Sequence, residues 1–114
     1  MENNRTKGSL YEQKAADYLE SAGYTILARN YRASRFEIDI IACEAETLVF
    51  VEVKYRADES FGNGLYAVDS RKRMRIRNAA REYLMRQKIS EDTACRFDVI
   101  SIVGEELNHI REAF

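Results

Sequence analysis

A chain of 114 residues is long enough to bury one core without disulfides or a structural metal, and 46% hydrophobic with 32% charged residues is the composition of a folded globular protein. With 18 Lys and Arg against 19 Asp and Glu the formal net charge is −1, which argues against a surface coated in positive charge. No run approaches the ~20 apolar residues that cross a bilayer, and the polar start Met1 to Lys7 lacks the apolar region of a secretion signal. A cytoplasmic protein with no membrane partner is expected. Cys43 and Cys95 have neither zinc-ligand spacing nor the density of a disulfide scaffold, and both read as small core residues.

In chain order, the first periodic segment is Leu10 to Ala22, where Tyr11, Ala15, Tyr18 and Ala22 form one helical stripe widened by Leu19. Ser9 suits its start and Gly23 its end. Three runs rich in Ile, Val, Phe and Tyr follow as strands: Tyr24 to Tyr31, Phe36 to Cys43 and Leu48 to Tyr55. After a loop containing Gly62 and Gly64, the span Asp69 to Gln87 places Ile76, Ala79, Ala80, Tyr83 and Leu84 on one face of a second helix. Arg96 to Val103 reads as a further strand, and Leu107 to Phe114 as an edge strand or a tail packed on the sheet. With no proline, repeat or linker, residues 1–114 are expected to form one α/β domain of order α-β-β-β-α-β, with a mixed central sheet flanked by helices.

The second and third strands are joined by Glu44-Ala45-Glu46-Thr47, and a four-residue loop there sets Cys43 opposite Leu48. In that register Ile41 faces Phe50, Asp39 faces Glu52 and Glu37 faces Lys54, all on one face of the hairpin. The other face, Ala42 with Val49, Ile40 with Val51 and Ile38 with Val53, is apolar and must be core. Two carboxylates directly opposite each other repel, so Asp39 and Glu52 need compensation. A hard divalent cation, Mg²⁺ or Mn²⁺, supplies it with waters and phosphate oxygens as its other ligands. Lys54, two residues beyond Glu52, is then placed to orient or deprotonate an attacking water, or to stabilise charge on a phosphate. The plainer alternative is a Glu37–Lys54 ion pair with both acids facing solvent. Against it, the acids sit in the most apolar stretch of the chain, where a charge needs a purpose.

From Arg71 to Lys88, eight basic residues stand against the single acid Glu82. This is either a solvated helix face or a phosphate-facing one. Lys72, near the helix start, would meet a phosphate with help from the helix dipole, with Arg71 beside it and Arg75 almost one turn onward.

The pattern Asp39, twelve residues, Glu52-Val53-Lys54 resembles the D-x(n)-E-x-K signature of the restriction-endonuclease-like nucleases, the PD-(D/E)xK superfamily. A closer resemblance, over nearly the whole chain, is to the YraN-type family of small bacterial proteins. It is carried by Glu12 with Ala15, Tyr18 and Leu19; Gly23-Tyr24 with Ile26-Leu27 and Asn30; Glu37-Ile38-Asp39; Leu48 to Lys54; Ala67-Val68 with Lys72; and His109-Ile110 with Ala113-Phe114. Family-like proteins tend to place glycine at Tyr11 and Phe36 and threonine at Tyr55. These departures leave the acids and Lys54 intact, but the resemblance does not fix the backbone path into the site, since Phe36 lacks the conformational freedom of glycine.

The resemblance implies a restriction-endonuclease-like core and a metal-dependent nuclease acting on nucleic acid, with DNA the expected polymer, in repair, recombination or processing. In it Asp39 and Glu52 bind the metal, Lys54 assists catalysis, Glu12 is a further candidate ligand from the first helix, and Glu37 is accessory. A homodimer presenting two sites would suit a nuclease this small. Against this stands a binding module that keeps the fold and basic helix but cleaves weakly or not at all, because fold alone does not establish chemistry. A purely structural partner protein would require the acids to be incidental. The lone His109 reads as structural. Substrate choice is expected to rest on loops such as Ala57 to Leu65.

Overall fold

A computed structural model describes residues 4–33, 36–56 and 69–114, with side chains described from Ser9 onward in the first helix. The elements are α1 (Asn4–Ser21), β1 (Thr25–Ala33), β2 (Phe36–Glu44), β3 (Thr47–Arg56), α2 (Ser70–Arg86), β4 (Cys95–Val103) and β5 (Glu106–Ile110). The expected α/β order with a mixed sheet is what the chain adopts, with the C-terminal tail supplying a fifth strand. The sheet runs β1-β2-β3-β4-β5, antiparallel except for the parallel pair β3 and β4, which α2 joins as a crossover. The expected loop at Ala57 to Leu65, with Gly62 and Gly64, lies outside the described residues, as does Ala67-Val68.

Helix α1 starts well before Ser9, which lies inside it rather than capping it. No proline interrupts Asn4 to Ser9, and a single glycine there costs only about 1 kcal/mol, too little to stop a helix. Its end is as expected. Gly23 takes a φ of +95°, and the Tyr24 N–H reaches back to the Leu19 carbonyl at 2.9 Å. Ala22, however, is exposed, because this turn carries it away from the sheet; Ala16 takes its place in the buried stripe with Ala15 and Leu19. In α2, Asp69 accepts the Lys72 N–H at 2.8 Å as N-cap, and the five expected residues from Ile76 to Leu84 are buried.

Both faces of the sheet are core. Under α1, Ala15, Ala16 and Leu19 pack on Ile40, Ala42, Val49, Val51, Ile100 and Ile102. Under α2, Ile76, Ala79, Ala80, Tyr83 and Leu84 pack on Ile38, Ile41, Leu48, Phe50 and Val99. This is why β2 and β3 are apolar almost throughout rather than alternating. The thiols fall short of the core: Cys43 is half-buried and Cys95 exposed, at strand ends where neither helix covers them.

The expected hairpin register holds from Cys43↔Leu48 to Ile40↔Val51, but the ladder also includes Glu44↔Thr47, so the turn is only Ala45-Glu46. Ala45 accepts a φ of +54° to make it. Beyond Ile40↔Val51 the expected pairs Asp39 with Glu52 and Glu37 with Lys54 do not form. There β2 continues beside β1 to Phe36↔Ala33, while β3 continues beside β4 to Arg56↔Val103. The sheet therefore forks.

Side-chain alternation reverses at the same place. Ile40 faces α1 whereas Ile38 faces α2, so the two do not share the face that strict alternation assigns them. On the neighbouring strand, between the pairs Arg29↔Ile40 and Tyr31↔Ile38, Asn30 adopts a φ of +52°. Both backbones turn over there, and Asp39 sits at the reversal.

Candidate active site

Asp39 fills the mouth of the fork. Its Oδ2 accepts the Val53 N–H at 2.8 Å, so a carboxylate bridges β2 and β3 where a backbone ladder has ceased. The group is largely shielded from water. Burial, then the charge of Glu52, then those of Glu12 and Glu37 push its pKa up to about 8, and the single N–H from Val53 offsets this only in part. Burial is the larger cause and the gathered acids the second, so the ionised form of Asp39 is disfavoured on both counts.

Glu52 is 9% exposed and faces α2, as does its neighbour at alternate spacing, Phe50. Its Oε1 lies 2.5 Å from the Lys72 Nζ, so the lysine expected to meet a phosphate is paired with an expected metal ligand. Lys54 lies two residues further along β3. Burial, then the nearby ammonium of Lys72, lower its pKa, with Arg56 acting in the same sense against the charges of Glu52 and Asp69.

Glu12 enters from α1. Burial, then the charge of Glu37, raise its pKa, while Arg29 and a hydrogen bond from Asn30 pull the other way. Its Oε1 is buried with no hydrogen-bond partner among the described residues. Glu37 is exposed and makes a loose 3.7 Å ion pair with Arg32 rather than with Lys54. It borders a cavity of about 470 Å³ lined also by Phe36, Asp69, Arg71, Lys72, Arg75 and Ile76. The Arg75 guanidinium lies 5.3 Å from the centre of the Phe36 ring. Thus Arg71, Lys72 and Arg75 share one wall beside the fork.

The aromatic departures from the family-like pattern pack at this site. Tyr11, next to Glu12, and Tyr55, next to Lys54, stack on each other with ring centres 3.6 Å apart and planes 16° from parallel. Phe36 carries Arg75. These side chains occupy space that glycine and threonine would leave open.

A second charged cluster gave no motif in the sequence. Asp98, fully buried on β4, accepts Arg96 Nε on Oδ1 at 2.8 Å, Arg96 Nη2 on Oδ2 at 3.0 Å and the Glu112 N–H on Oδ1 at 3.1 Å, while His109 Nε2 lies 2.6 Å from Oδ2. Tyr18 Oη is 3.0 Å from His109 Nδ1, and Arg96 also reaches Tyr24 Oη and Glu44. Burial by itself pushes Asp98 up, but these hydrogen bonds outweigh it and hold its pKa below the ordinary value. The one advance signal was the alternate spacing of Arg96 and Asp98 on a strand, with a lone histidine placed to cross it.

Among the described residues, no group of three His, Cys, Asp or Glu side chains is placed to hold a metal ion together. A hard cation needs less, since Mg²⁺ keeps several waters and takes one or two carboxylates. The donors at the fork suit that role: all are oxygen, one Glu12 oxygen is orphaned, and Asp39 is destabilised as an anion by its fellow acids.

The family described as "Uncharacterised protein family UPF0102" matches residues 11–102, a span that takes in Glu12, the fork and α2. The chain belongs to this family. Among UPF0102 proteins, it is 46% identical over 112 residues to one from Lachnoclostridium phytofermentans, covering 98% of this chain and 95% of the relative. One from Alkaliphilus oremlandii is 44% identical over 116 residues, covering 97% and 99%. One from Fusobacterium nucleatum is 43% identical over 109 residues, covering 96% and 91%. Among the described residues of this UPF0102 chain no helix is long and apolar enough to cross a membrane.

Proposed function

We propose that this UPF0102 chain is a divalent-metal-dependent nuclease that hydrolyses phosphodiester bonds in nucleic acid at the β2–β3 fork. The observation that carries the reading is the gathering of Glu12, Glu37 and Glu52 around Asp39, whose carboxyl burial and these charges push up to about 8, with Glu52 paired to Lys72 and a cavity lined by Arg71, Lys72 and Arg75 alongside. Asp39 and Glu52, with Glu12, would hold Mg²⁺ or Mn²⁺, which supplies charge to polarise the phosphate and makes water a stronger acid. Lys54, its ammonium disfavoured by burial and by Lys72, positions a water against the phosphorus and accepts its proton. The water oxygen bonds to phosphorus as the ester P–O bond breaks, and the departing oxygen takes a proton from solvent. With Glu52 engaged as a metal ligand, Lys72 would be free to meet the phosphate, and Arg71 and Arg75 would line the path of the strand.

Cleavage of duplex, single-stranded and branched DNA and of RNA in Mg²⁺ and Mn²⁺ tests this, comparing wild type with Asp39→Ala and Lys54→Ala. Each substitution is expected to slow cleavage by at least ~100-fold. Equal activity in all three proteins would remove the assignment. A second reading, a binding module without cleavage, is favoured by the Lys72–Glu52 ion pair, which already satisfies one of the two principal carboxylates. Nucleic-acid binding without hydrolysis on any of these substrates would establish it.

A further inference from the structure

Helix α2 carries guanidinium groups on both flanks, and only one flank faces the cavity. Arg71 and Arg75 lie on the β2 side, where Arg75 covers Phe36. On the β4 side, Arg73 lies over Phe114 at 6.0 Å, and Arg77 is 5.8 Å from both Phe97 and Phe114, themselves stacked 5.2 Å apart. Arg81 continues this row one turn beyond Arg77, and a hollow of about 360 Å³ runs along it. A guanidinium stacked on a ring keeps its N–H edge for phosphate oxygens. Elsewhere arginines meet carboxylates, as in Arg86–Glu82, Arg96–Asp98 and Arg111–Glu44. Among the described residues, neither Arg77 nor Arg81 does.

Three arginines at successive turns span about 12 Å, the axial rise of three to four nucleotides of one strand. The two flanks of a helix are about 10–12 Å apart, matching the ~12 Å major groove of B-form DNA. Between them the outer face of α2 presents exposed Met74, Met85 and Asn78, and the one acid of the helix, Glu82, lies two turns beyond Arg75 and is neutralised by Arg86. A duplex seated there would set one backbone on Arg71 and Arg75 and the other on Arg73, Arg77 and Arg81.

We propose that α2 straddles the major groove of duplex DNA, so that the site selects double-stranded DNA and the Arg73–Arg77–Arg81 row holds the strand that is not in the cavity. This rests on nucleic acid entering the fork, as in the function proposed above, but does not depend on cleavage. Double-stranded RNA, whose major groove is deep and narrow, would not seat α2.

Fluorescence anisotropy in EDTA, with a labelled duplex DNA, the same single strand and the matching duplex RNA, provides the test. Wild type is compared with R73Q/R77Q/R81Q, and with R81E as a variant that touches no ring and leaves the stack intact. Wild type is expected to prefer duplex DNA. The triple variant should bind it at least ~10-fold more weakly, with a salt slope about 2–3 smaller, and R81E should weaken it in the same direction, while single-strand binding moves little. Unchanged duplex affinity and slope in R81E and in a folded triple variant would overturn the proposal, as would equal competition by poly-glutamate, which marks a docking site for acidic protein. Metal-dependent cleavage with unchanged duplex binding would refute the arginine row and leave the nuclease reading standing. Duplex binding lost in both variants, with no cleavage by wild type, would do the reverse.

Discussion

Two shielded carboxylates, Asp98 and Asp39, are held in opposite ways. Asp98 is fully enclosed yet held below its ordinary pKa, because Arg96, His109 and a backbone N–H converge on it. Asp39 is less enclosed, but burial and the charges of Glu52, Glu12 and Glu37 drive it up to about 8, with one N–H in return. Burial does not therefore decide whether an acid is comfortable; its partners do. The first cluster fastens β4 to α1 and to the C-terminal segment. The second gathers four acids around the fork, of which Glu52 is paired with Lys72 and Glu37 loosely with Arg32.

The largest expected effect is at the satisfied site. Asp98→Ala removes the acceptor shared by Arg96, His109 and the Glu112 N–H, leaving Arg96 only Glu44 and Tyr24, and should cost roughly 3–5 kcal/mol, read as a fall in the urea midpoint. A loss under about 1 kcal/mol would break the comparison at its stronger end. At the fork the sign reverses. Asp39→Asn keeps an acceptor for the Val53 N–H and removes a charge, so without metal it should be more stable than wild type by about 1–2 kcal/mol at pH 8.

The two acids also divide the pH profile. Asp98, with its folded pKa lowered, contributes stability above its unfolded value near 4 that is lost as the pH falls through its folded one. Asp39, with its folded pKa raised, contributes stability that is fully present below its unfolded value near 4 and is lost as the pH rises towards about 8. Wild type should therefore lose stability between about pH 4 and 8 relative to Asp39→Asn, and parallel profiles for the two proteins would remove the raised pKa.

Smaller effects sharpen the contrast. Mn²⁺ should raise the wild-type melting midpoint by a few degrees at pH 9 and by less at pH 6, where a proton competes for Asp39, and Glu12→Gln should reduce the gain. A shift that is the same at both pH values would dissociate the metal response from Asp39. Least of all, Arg111→Ala removes an exposed pair with Glu44 and should move the midpoint by no more than about a degree.

Much of this was readable beforehand for a physical reason. The hairpin register follows from apolar runs on either side of a short polar turn, and the buried stripe of α2 follows from its 3.6-residue period. The outcome at Asp39 was not readable, because extrapolating that register assumes strict alternation. The reversal depends on Asn30 taking a positive φ on the neighbouring strand, and a sequence does not announce which asparagine will do so. So Asp39, Glu52 and Lys54 stood out as residues, but the pairs expected of them gave way to a side-chain bridge to Val53 and a Lys72–Glu52 ion pair. The Asp98 cluster was hidden for another reason: its members come from α1, the turn before β1, β2, β4, β5 and the tail, and no local period links them.

Because the fork is made by two ladders parting, the carboxylates stand on backbone that remains hydrogen-bonded on its outer side, β2 to β1 and β3 to β4. The cleft thus belongs to the architecture of the sheet rather than to an appended segment. The rim can therefore be altered by substitution while the acids keep their places. Change would be easiest where no strand depends on it and hardest at Asn30 and Asp39, whose conformations open the cleft itself.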